Sequence, residues 1–377
     1  MKLVVDKDIP YFDTFIKDID YYPSFEILKY KDSEFSSTIL KDADALFIRS
    51  TTTIKDDSLE DSNIRFIASA TSGYNHICKS VLEWNCNEKK CFIASGCNSF
   101  AVVNYILSCV GYLIAQNKFS KSNSVGIIGF GSIGTLLAET LDNLAIKNFF
   151  FDPYVLNSLN PKKKKSLEDI LDCDLVTIHA SYSRDGDYPS HRLLGKHNLL
   201  NASLKTLINS SRGEIIDEKF ISEQNYFDYI ADVWIDEPDC DEKLVEKALL
   251  STPHIAGYSN QAKHQGTKSV ICEFAKFFGF KNNLLEREKN IKFVKNEKLF
   301  EEDFKVNNFP CKFMKSLFDI ETCSNEFKNS FLMRKMSFDM LRESFNFVDD
   351  FSCYKLNKSS KNDNNLLKKF LPMEKIN

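Results

Sequence analysis

The sequence has no surplus of positive charge. Its 377 residues include 49 Lys and Arg against 53 Asp and Glu, for a formal net charge of -4 at pH 7. Proteins that bind nucleic acids hold the phosphate backbone with clustered Lys and Arg, and this composition does not favour that class. We therefore expect small-molecule ligands and no nucleic-acid partner.

Cysteine motifs are missing as well. The eleven cysteines are odd in number, form no CxxC pair and have no His at ligand spacing, so we expect neither a metal site nor a disulfide framework. The first residues, MKLVVDKDIPYF, lack the basic and apolar regions of a signal peptide. Both observations favour a reducing, cytoplasmic location.

No apolar run has the length of a membrane span. The strongest candidate, FAVVNYILSCVGYLIAQ at residues 100–116, includes Asn104 and Ser108 and falls short of the roughly 18 to 20 apolar residues that a span needs. We interpret it as a buried helix and expect no membrane partner.

Short apolar segments alternate with helical patterns along most of the chain, as in βαβ units with a parallel sheet. A first series of predicted strands comprises KLVVD at residues 2–6, DALFIRS at 44–50, IRFIASA at 64–70 and KCFIAS at 90–95. A second series comprises VGII at 125–128, NFFFD at 148–152, DLVTIH at 174–179, LKTLINS at 204–210 and FDYIADVW at 227–234. The fold class is therefore α/β, with two doubly wound parallel-sheet domains.

The order of these segments predicts a discontinuous first domain. A helical pattern at residues 262–280 follows the second series, and we expect it to return to the first domain. The predicted substrate domain is residues 1–98 and 258–284, and residues 99–257 form the dinucleotide-binding domain inserted into it. From residue 285 the composition shifts to Lys, Asn, Glu and Phe, which predicts a small third domain at 285–377.

The stretch SVGIIGFGSIGTLLAETL, residues 124–141, has the dinucleotide-binding fingerprint. A strand signal precedes Gly129, Gly131 and Gly134, and a helical pattern follows them. Asp152 ends the next predicted strand, where a carboxylate can accept hydrogen bonds from ribose hydroxyls and disfavour the additional phosphate of NADP. A glycine turn without a ligand is the alternative, and the agreement of strand, helix and acid argues against it.

Three later segments carry groups suited to oxidation of a 2-hydroxy acid. Arg212 in INSSRGEIID offers a planar fork for a carboxylate. His254 in STPHIAGY can accept a hydroxyl proton, and Glu237 in ADVWIDEPD can orient its ring. Each has an ordinary structural alternative, since a single exposed charge or a single His is commonly structural.

These motifs, in this order, resemble the NAD-dependent D-2-hydroxyacid dehydrogenases over roughly residues 1–285. The resemblance implies a Rossmann-type NAD domain, a flavodoxin-like substrate domain and a catalytic trio of Arg212, Glu237 and His254. It implies a cofactor site formed by Gly129, Gly131, Ser132, Ile133, Gly134, Asp152, Ser210, Ser211, Asp232 and Gly257.

RSTT at 49–52, ATSGYNHI at 70–77 and RDGDYPSHRLL at 184–194 resemble one branch of that family. That branch acts on a phosphorylated 2-hydroxy acid and dimerises through a C-terminal extension. The resemblance places Ser50, Thr71, Gly73 and Tyr258 at the substrate, and it implies a homodimer whose C-terminal α+β domain forms the interface. We expect Arg49, with neighbouring hydroxyls, to bind the phosphate, since guanidinium groups donate charge-assisted hydrogen bonds. The structural alternative is that Arg49 only caps the strand end and Ser50 closes a turn.

Two alternatives remain open. Another D-2-hydroxyacid dehydrogenase, acting on phosphoglycerate or hydroxypyruvate, would use the same trio, and a non-catalytic NADH-sensing protein could retain the fold alone. The chain also departs from the family pattern, because Ala180 stands where the family usually has a Thr.

Overall fold

The computed structural model describes residues 1–21, 24–60, 62–155, 162–284 and 311–353. These residues form two compact units. Unit 1 comprises residues 1–98 and 259–284, and unit 2 comprises residues 99–258 and 311–353.

The strands and helices that carry the two units are as follows. The strands are β1 (Lys2–Asp6), β2 (Ile19–Asp20), β3 (Glu26–Tyr30), β4 (Ala45–Ile48), β5 (Phe66–Ser69), β6 (Lys90–Ile93), β7 (Ser124–Ile128), β8 (Lys147–Phe151), β9 (Leu175–Ile178), β10 (Thr206–Asn209), β11 (Asp228–Ala231), β12 (Leu250–Ser251) and β13 (Lys281–Asn282). The helices are α1 (Phe12–Ile16), α2 (Ser37–Leu40), α3 (Lys79–Leu82), α4 (Ser99–Ala115), α5 (Ser132–Asn143), α6 (Leu167–Leu171), α7 (Lys196–Leu199), α8 (Glu218–Glu223), α9 (Glu242–Lys247), α10 (Asn260–Phe278), α11 (Cys311–Leu317), α12 (Ile320–Leu332) and α13 (Phe338–Ser344).

Unit 1 is built on a parallel five-stranded sheet with the order β3-β1-β4-β5-β6. The central strands β4 and β5 are buried along their whole length, as expected when both faces of a parallel sheet are covered. The chain reverses its direction of progress across the sheet at β1. Doubly wound sheets bind ligands beyond the carboxyl ends of their strands at such a point.

Helix α10 belongs to unit 1 although it follows the strands of unit 2. Its N-terminus is capped by the Ser259 hydroxyl, which accepts from the Ala262 N–H at 3.0 Å, and it ends at Gly279 with φ of +73°. Its buried face, which includes Val270 and Phe274, joins the core of β4 and β5. Burial of this apolar face holds the helix on unit 1.

Unit 2 contains a parallel six-stranded sheet with the order β12-β11-β10-β9-β7-β8. Helix α4, the apolar segment noted above, is the central helix of this core, and its Tyr105 and Cys109 are fully buried. No helix in the described ranges combines the length and apolar character needed to cross a membrane. The order in which the chain adds strands to the sheet reverses at β7. The glycine-rich loop after β7 therefore lies at the edge of the sheet expected to bind ligands.

The sequence predicts a separate α+β domain at 285–377, and this division stays a prediction. The described residues of that range, 311–353, contain three helices, one 3-10 turn and a bridge residue, Val348, and they cluster with unit 2. Phe313 and Phe318 are buried in the same core as α4. A segment this short gains an adequate apolar core by packing on a larger one. The other residues of the predicted third domain lie outside the described ranges.

The α/β fold class and all nine predicted strands are confirmed. Four strands were not predicted: the two-residue strands β2, β12 and β13, and the longer β3. Strand β3 lies at the sheet edge and its sequence, EILKY, carries two charged residues among its five, with only Tyr30 buried.

Candidate active site

Two of the three glycines after β7 are required by the fold itself. Gly129 has φ of +93°, and a Cβ there would lie 2.4 Å from the Ala180 nitrogen. A Cβ on Gly134 would lie 2.1 Å from the Gly129 carbonyl oxygen. Neither position has room for a side chain, because helix α5 and the β9 loop approach the backbone directly.

Gly131 is different. No described atom lies within 4 Å of the place that a Cβ would take. Gly131 is also the N-cap of the twelve-residue helix α5 and supplies no side-chain cap to its first N–H groups. Exposed N–H groups and the helix dipole attract an anion such as a pyrophosphate. A ligand therefore explains the bare backbone here better than the protein's own packing does.

Asp152, directly after β8, lies beside this glycine loop. Its Oδ2 accepts from the Phe130 N–H at 2.8 Å and its Oδ1 accepts from the Tyr154 N–H at 2.9 Å. The Phe130 ring stacks on Phe150 with centroids 3.7 Å apart. The carboxylate is thus held at the position where dinucleotide-binding domains contact the ribose hydroxyls.

The turn after β10 presents Arg212. The Asn209 amide donates to the Arg212 carbonyl at 2.9 Å, and the Ser211 N–H donates to the Asn209 Oδ1 at 3.1 Å. Ser211 also donates its hydroxyl to the Ala180 carbonyl at 2.5 Å. The buried Ser210 hydroxyl has no hydrogen-bond partner in the described part of the chain. Buried polar groups are normally paired, so this hydroxyl fits a ligand contact.

Glu237 and His254 form a direct pair. Glu237 Oε2 lies 2.7 Å from His254 Nδ1, and Glu237 Oε1 accepts from the Trp234 N–H at 2.9 Å. Burial acts to raise the pKa of Glu237, but attraction to His254 and the hydrogen bonds from His254 and Trp234 outweigh it and lower the pKa. An ionised carboxylate only accepts hydrogen bonds, so His254 carries its proton on Nδ1 and leaves Nε2 to accept one.

The backbone around this pair is strained. His254 has φ of +57° and Asp236 has φ of +59°, a backbone region that residues other than glycine rarely adopt. Asp232 holds the His254 loop from below, since its buried carboxylate accepts from the Thr252 hydroxyl and from the N–H groups of Ile255 and Ala256 at 2.7 to 2.9 Å. Residues kept in such conformations cluster at functional sites.

The Arg212 and Glu237 loops touch each other. A Cβ on Gly213 would lie 2.2 Å from the Trp234 carbonyl carbon and 2.3 Å from the Ile235 nitrogen. The Glu218 Oε1, from the first turn of α8, accepts from the Ile235 N–H at 2.8 Å. Burial raises the pKa of Glu218 from 4.5 to about 7, against the effect of that hydrogen bond. Glu218 therefore braces the loop that carries Glu237.

We predict that Glu218→Gln changes how stability depends on pH. The raised pKa means that the folded protein binds the Glu218 proton more tightly than the unfolded chain does. Its contribution to stability is therefore complete below pH 4.5 and is lost as pH rises through about 7. From pH 5 to pH 8, the free energy of unfolding of Glu218→Gln should therefore rise relative to that of wild type by on the order of 2 to 3 kcal/mol. Urea unfolding of both proteins at pH 5 and at pH 8 measures this difference.

The exposed Glu223 on the same helix provides the control. Glu223→Gln should not reproduce the gain expected of Glu218→Gln. If Glu218→Gln behaved like this control, the assigned titration of Glu218 would be wrong.

In unit 1, the expected substrate residues follow the carboxyl ends of β4 and β5. Thr71 shares a 2.9 Å hydrogen bond with the Ser69 hydroxyl, which lies 3.1 Å from His76 Nε2. Ser50 is exposed and Gly73 is half-buried. These positions are suited to contact a ligand.

Arg49 has a different environment from the one expected of a phosphate ligand. Its Nε donates to Asp6 Oδ2 at 2.8 Å, and its Nη2 lies 3.2 Å from Asp8 Oδ2 and 3.6 Å from Asp32 Oδ2. The Asp6 side chain is 0% exposed. Three carboxylates thus surround one guanidinium, and they would repel a phosphate. This geometry favours the structural alternative for Arg49.

Comparison with known proteins identifies the family of this chain. Residues 115–256 match the family described as D-isomer specific 2-hydroxyacid dehydrogenase, NAD binding domain. The chain is 35% identical over 290 residues to the erythronate-4-phosphate dehydrogenase of Wigglesworthia glossinidia brevipalpis, with 75% of this chain and 74% of that protein covered. The corresponding enzyme of Ruthia magnifica subsp. Calyptogena magnifica is 34% identical, with 78% and 82% covered. The chain belongs to the erythronate-4-phosphate dehydrogenase family. It is an NAD-dependent dehydrogenase.

Solved structures of other dehydrogenases share the fold of this chain. The 3-phosphoglycerate dehydrogenase of Entamoeba histolytica with NAD+ bound has a TM-score of 0.59 at 20% identity, with 78% of this chain and 99% of that chain covered. At this identity the likeness concerns the fold alone.

The residues present fit NAD. Gly131 leaves an open approach to the first turn of α5, where Ser132 and Ile133 follow, and the Ser210 hydroxyl has no partner in the described residues. Asp232 follows β11 and holds the loop of His254, and Gly257 lies on that same loop. Asp152 lies beside Phe130. No group of three or more His, Cys, Asp or Glu in the described ranges could hold a metal ion.

Sequence reasoning missed Asn209 and Glu218, which lie around the same loops. It also missed Arg342 of α13, whose guanidinium carbon lies 5.6 Å from the centroid of the Tyr258 ring. Asn209 stands inside the quoted Arg212 motif and could have been considered as a turn residue. Glu218 and Arg342 carry no local signal, because their roles depend on segments distant in the chain.

Proposed function

We propose that this enzyme oxidises 4-phospho-D-erythronate at C2 to (R)-3-hydroxy-2-oxo-4-phosphobutanoate with NAD, a step of pyridoxal 5'-phosphate biosynthesis. The observation that supports it most directly is the 2.7 Å Glu237–His254 pair. That pair lies in a chain 35% identical to an enzyme named for this substrate.

The side chains divide the chemistry among themselves. Arg212 binds the substrate carboxylate, since a guanidinium can donate two parallel hydrogen bonds to it. His254 Nε2 accepts the proton of the C2 hydroxyl, and Glu237 stabilises the positive charge that then forms on the imidazole. NAD held at the Gly131 loop would supply the acceptor for the C2 hydrogen and its two electrons. Asp232 and Trp234 hold the two loops in register by the hydrogen bonds described above.

The test is NADH production at fixed enzyme concentration with a panel of 2-hydroxy acids. The panel contains 4-phospho-D-erythronate, D-erythronate, 3-phosphoglycerate and glycerate, the last being the reduced form of hydroxypyruvate. The highest kcat/KM is expected with 4-phospho-D-erythronate. A higher value with 3-phosphoglycerate or glycerate would assign the chain to another dehydrogenase of this family, and NADH binding without turnover would indicate a sensing protein.

We also propose a homodimer in which the C-terminal segment forms contacts. Met333, Met340 and Phe347, all in the described part of this segment, are 62%, 53% and 43% exposed. Exposed apolar side chains of this size are often covered by a partner. A monomeric mass in solution scattering would contradict the proposal.

We propose a cytoplasmic location. The eleven cysteines are all free, which supports it, and cell fractionation tests it.

A further inference from the structure

Arg342, on α13, approaches the active-site loop of its own unit. Its guanidinium carbon lies 5.6 Å from the centroid of the Tyr258 ring. Its Nε is buried and has no hydrogen-bond partner in the described part of the chain. A buried donor without an acceptor costs about 1 to 3 kcal/mol. This unpaired donor therefore destabilises the protein without ligand, and an acceptor on a bound ligand would explain why it is there.

The segment around Arg342 is held in place by the core of unit 2. Buried Asn104 of α4 donates to the Asp349 carbonyl at 3.0 Å and accepts from the Phe351 N–H at 2.9 Å. Phe345 stacks on Phe318 with centroids 4.9 Å apart. These contacts fix both the backbone after α13 and the aromatic side chains near Tyr258, so the approach of Arg342 is a built feature of the unit.

Arg342 also acts on the catalytic pair through its charge. Burial raises and His254 lowers the pKa of Glu237, and the Arg342 charge contributes further to lowering it. Arg342, Tyr258 and the Glu237–His254 pair therefore lie in one electrostatic neighbourhood of unit 2.

Arg342 and Arg49 offer opposite environments to a phosphate. Arg49 is neutralised by Asp6, Asp8 and Asp32. The buried Nε of Arg342 has no acceptor in the described residues, and guanidinium forks suit phosphate oxygens. We propose that Arg342 binds the phosphate group of the substrate beside Tyr258. This inference rests on the proposed function and assigns the phosphate to a residue of the C-terminal segment.

The experiment compares 4-phospho-D-erythronate with D-erythronate in wild type, Arg342→Met and Arg342→Lys. Arg342→Met should lower kcat/KM for the phosphorylated acid roughly 10- to 100-fold, mainly through KM, since it removes charge-assisted hydrogen bonds. Its kcat/KM for D-erythronate should fall several-fold less, because that acid has no phosphate and loses only the effect of the Arg342 charge on Glu237. Arg342→Lys, which keeps the charge but loses the fork, should fall between the two.

Inorganic phosphate gives a second readout that does not depend on the phosphorylated substrate. It should inhibit oxidation of D-erythronate competitively in wild type and several-fold more weakly in Arg342→Met. Arg334, exposed on the same segment and paired with Glu242 at 3.3 Å, supplies the matched control. Arg334→Met should behave as wild type in both assays.

An equal loss with both acids, or unchanged phosphate inhibition, would overturn the proposal and leave Arg342 a structural role. If Arg342→Met does not fold, Arg342→Lys with phosphate inhibition decides the question alone. If wild type prefers 3-phosphoglycerate, the proposed function fails, and Arg342 is tested with that acid against glycerate. If wild type prefers unphosphorylated acids, both proposals are wrong.

Discussion

His254→Ala is expected to lower kcat for oxidation roughly 100- to 10,000-fold, the usual cost of losing a general acid or base. The reason is the geometry of the pair, because the 2.7 Å contact with Glu237 occupies Nδ1 and leaves only Nε2 to accept the substrate proton. Steady-state kinetics with the preferred 2-hydroxy acid measures the effect. Near-normal turnover would remove His254 from the mechanism.

Glu237→Gln is the matched variant for that experiment. Glutamine keeps an oxygen that can accept from the Trp234 N–H but cannot stabilise a charged imidazole as a carboxylate does. It should change the pH dependence of kcat and leave NADH affinity near wild type. A loss of NADH binding in either variant would point to a displaced loop, since neither residue is assigned to the cofactor.

Gly131→Ala is expected to weaken NADH binding about tenfold or more, which corresponds to at least about 1.4 kcal/mol. The folded protein itself has room for the methyl group, because no described atom lies within 4 Å of that Cβ position. The methyl group would instead occupy space that the cofactor's pyrophosphate approaches. Fluorescence titration with NADH and thermal unfolding without cofactor separate these two effects.

Gly134→Ala provides the contrast in the same loop. Its Cβ would lie 2.1 Å from the Gly129 carbonyl oxygen, so the helix must move and the apoprotein should lose stability. If Gly131→Ala destabilised the apoprotein as much as Gly134→Ala and bound NADH normally, the cofactor would not lie at Gly131.

The glycine-rich loop after β7 could be predicted from the sequence, because each of its parts follows a local sequence pattern. A strand, three glycines at fixed spacing, a helix and an acid at the end of the next strand follow one another within residues 124–152. The tertiary structure added the distinction among the glycines. Gly129 and Gly134 are confined by neighbouring backbone and Gly131 is open, a difference that spacing cannot reveal.

The catalytic trio of Arg212, Glu237 and His254 was predicted in part from the sequence and in part only from the tertiary structure. Its members were predicted from motifs that each follow a strand, since parallel strands bring such loops to one edge. Their roles stay a prediction. The sequence did not show that Asn209 orders the Arg212 turn or that Gly213 packs against Trp234, because both depend on the register of loops after different strands.

The sequence by itself determined the α/β class, nine of the eleven strands in the two large sheets and the kind of chemistry, because apolar periodicity, glycine spacing and residue type are local properties. Only the tertiary structure decided which charged groups meet. It surrounded Arg49 with three carboxylates, buried Glu218 beneath the Glu237 loop, and brought Arg342 of the C-terminal segment to Tyr258. The free energy of a charge depends on its burial and its neighbours, and packing between distant segments sets both.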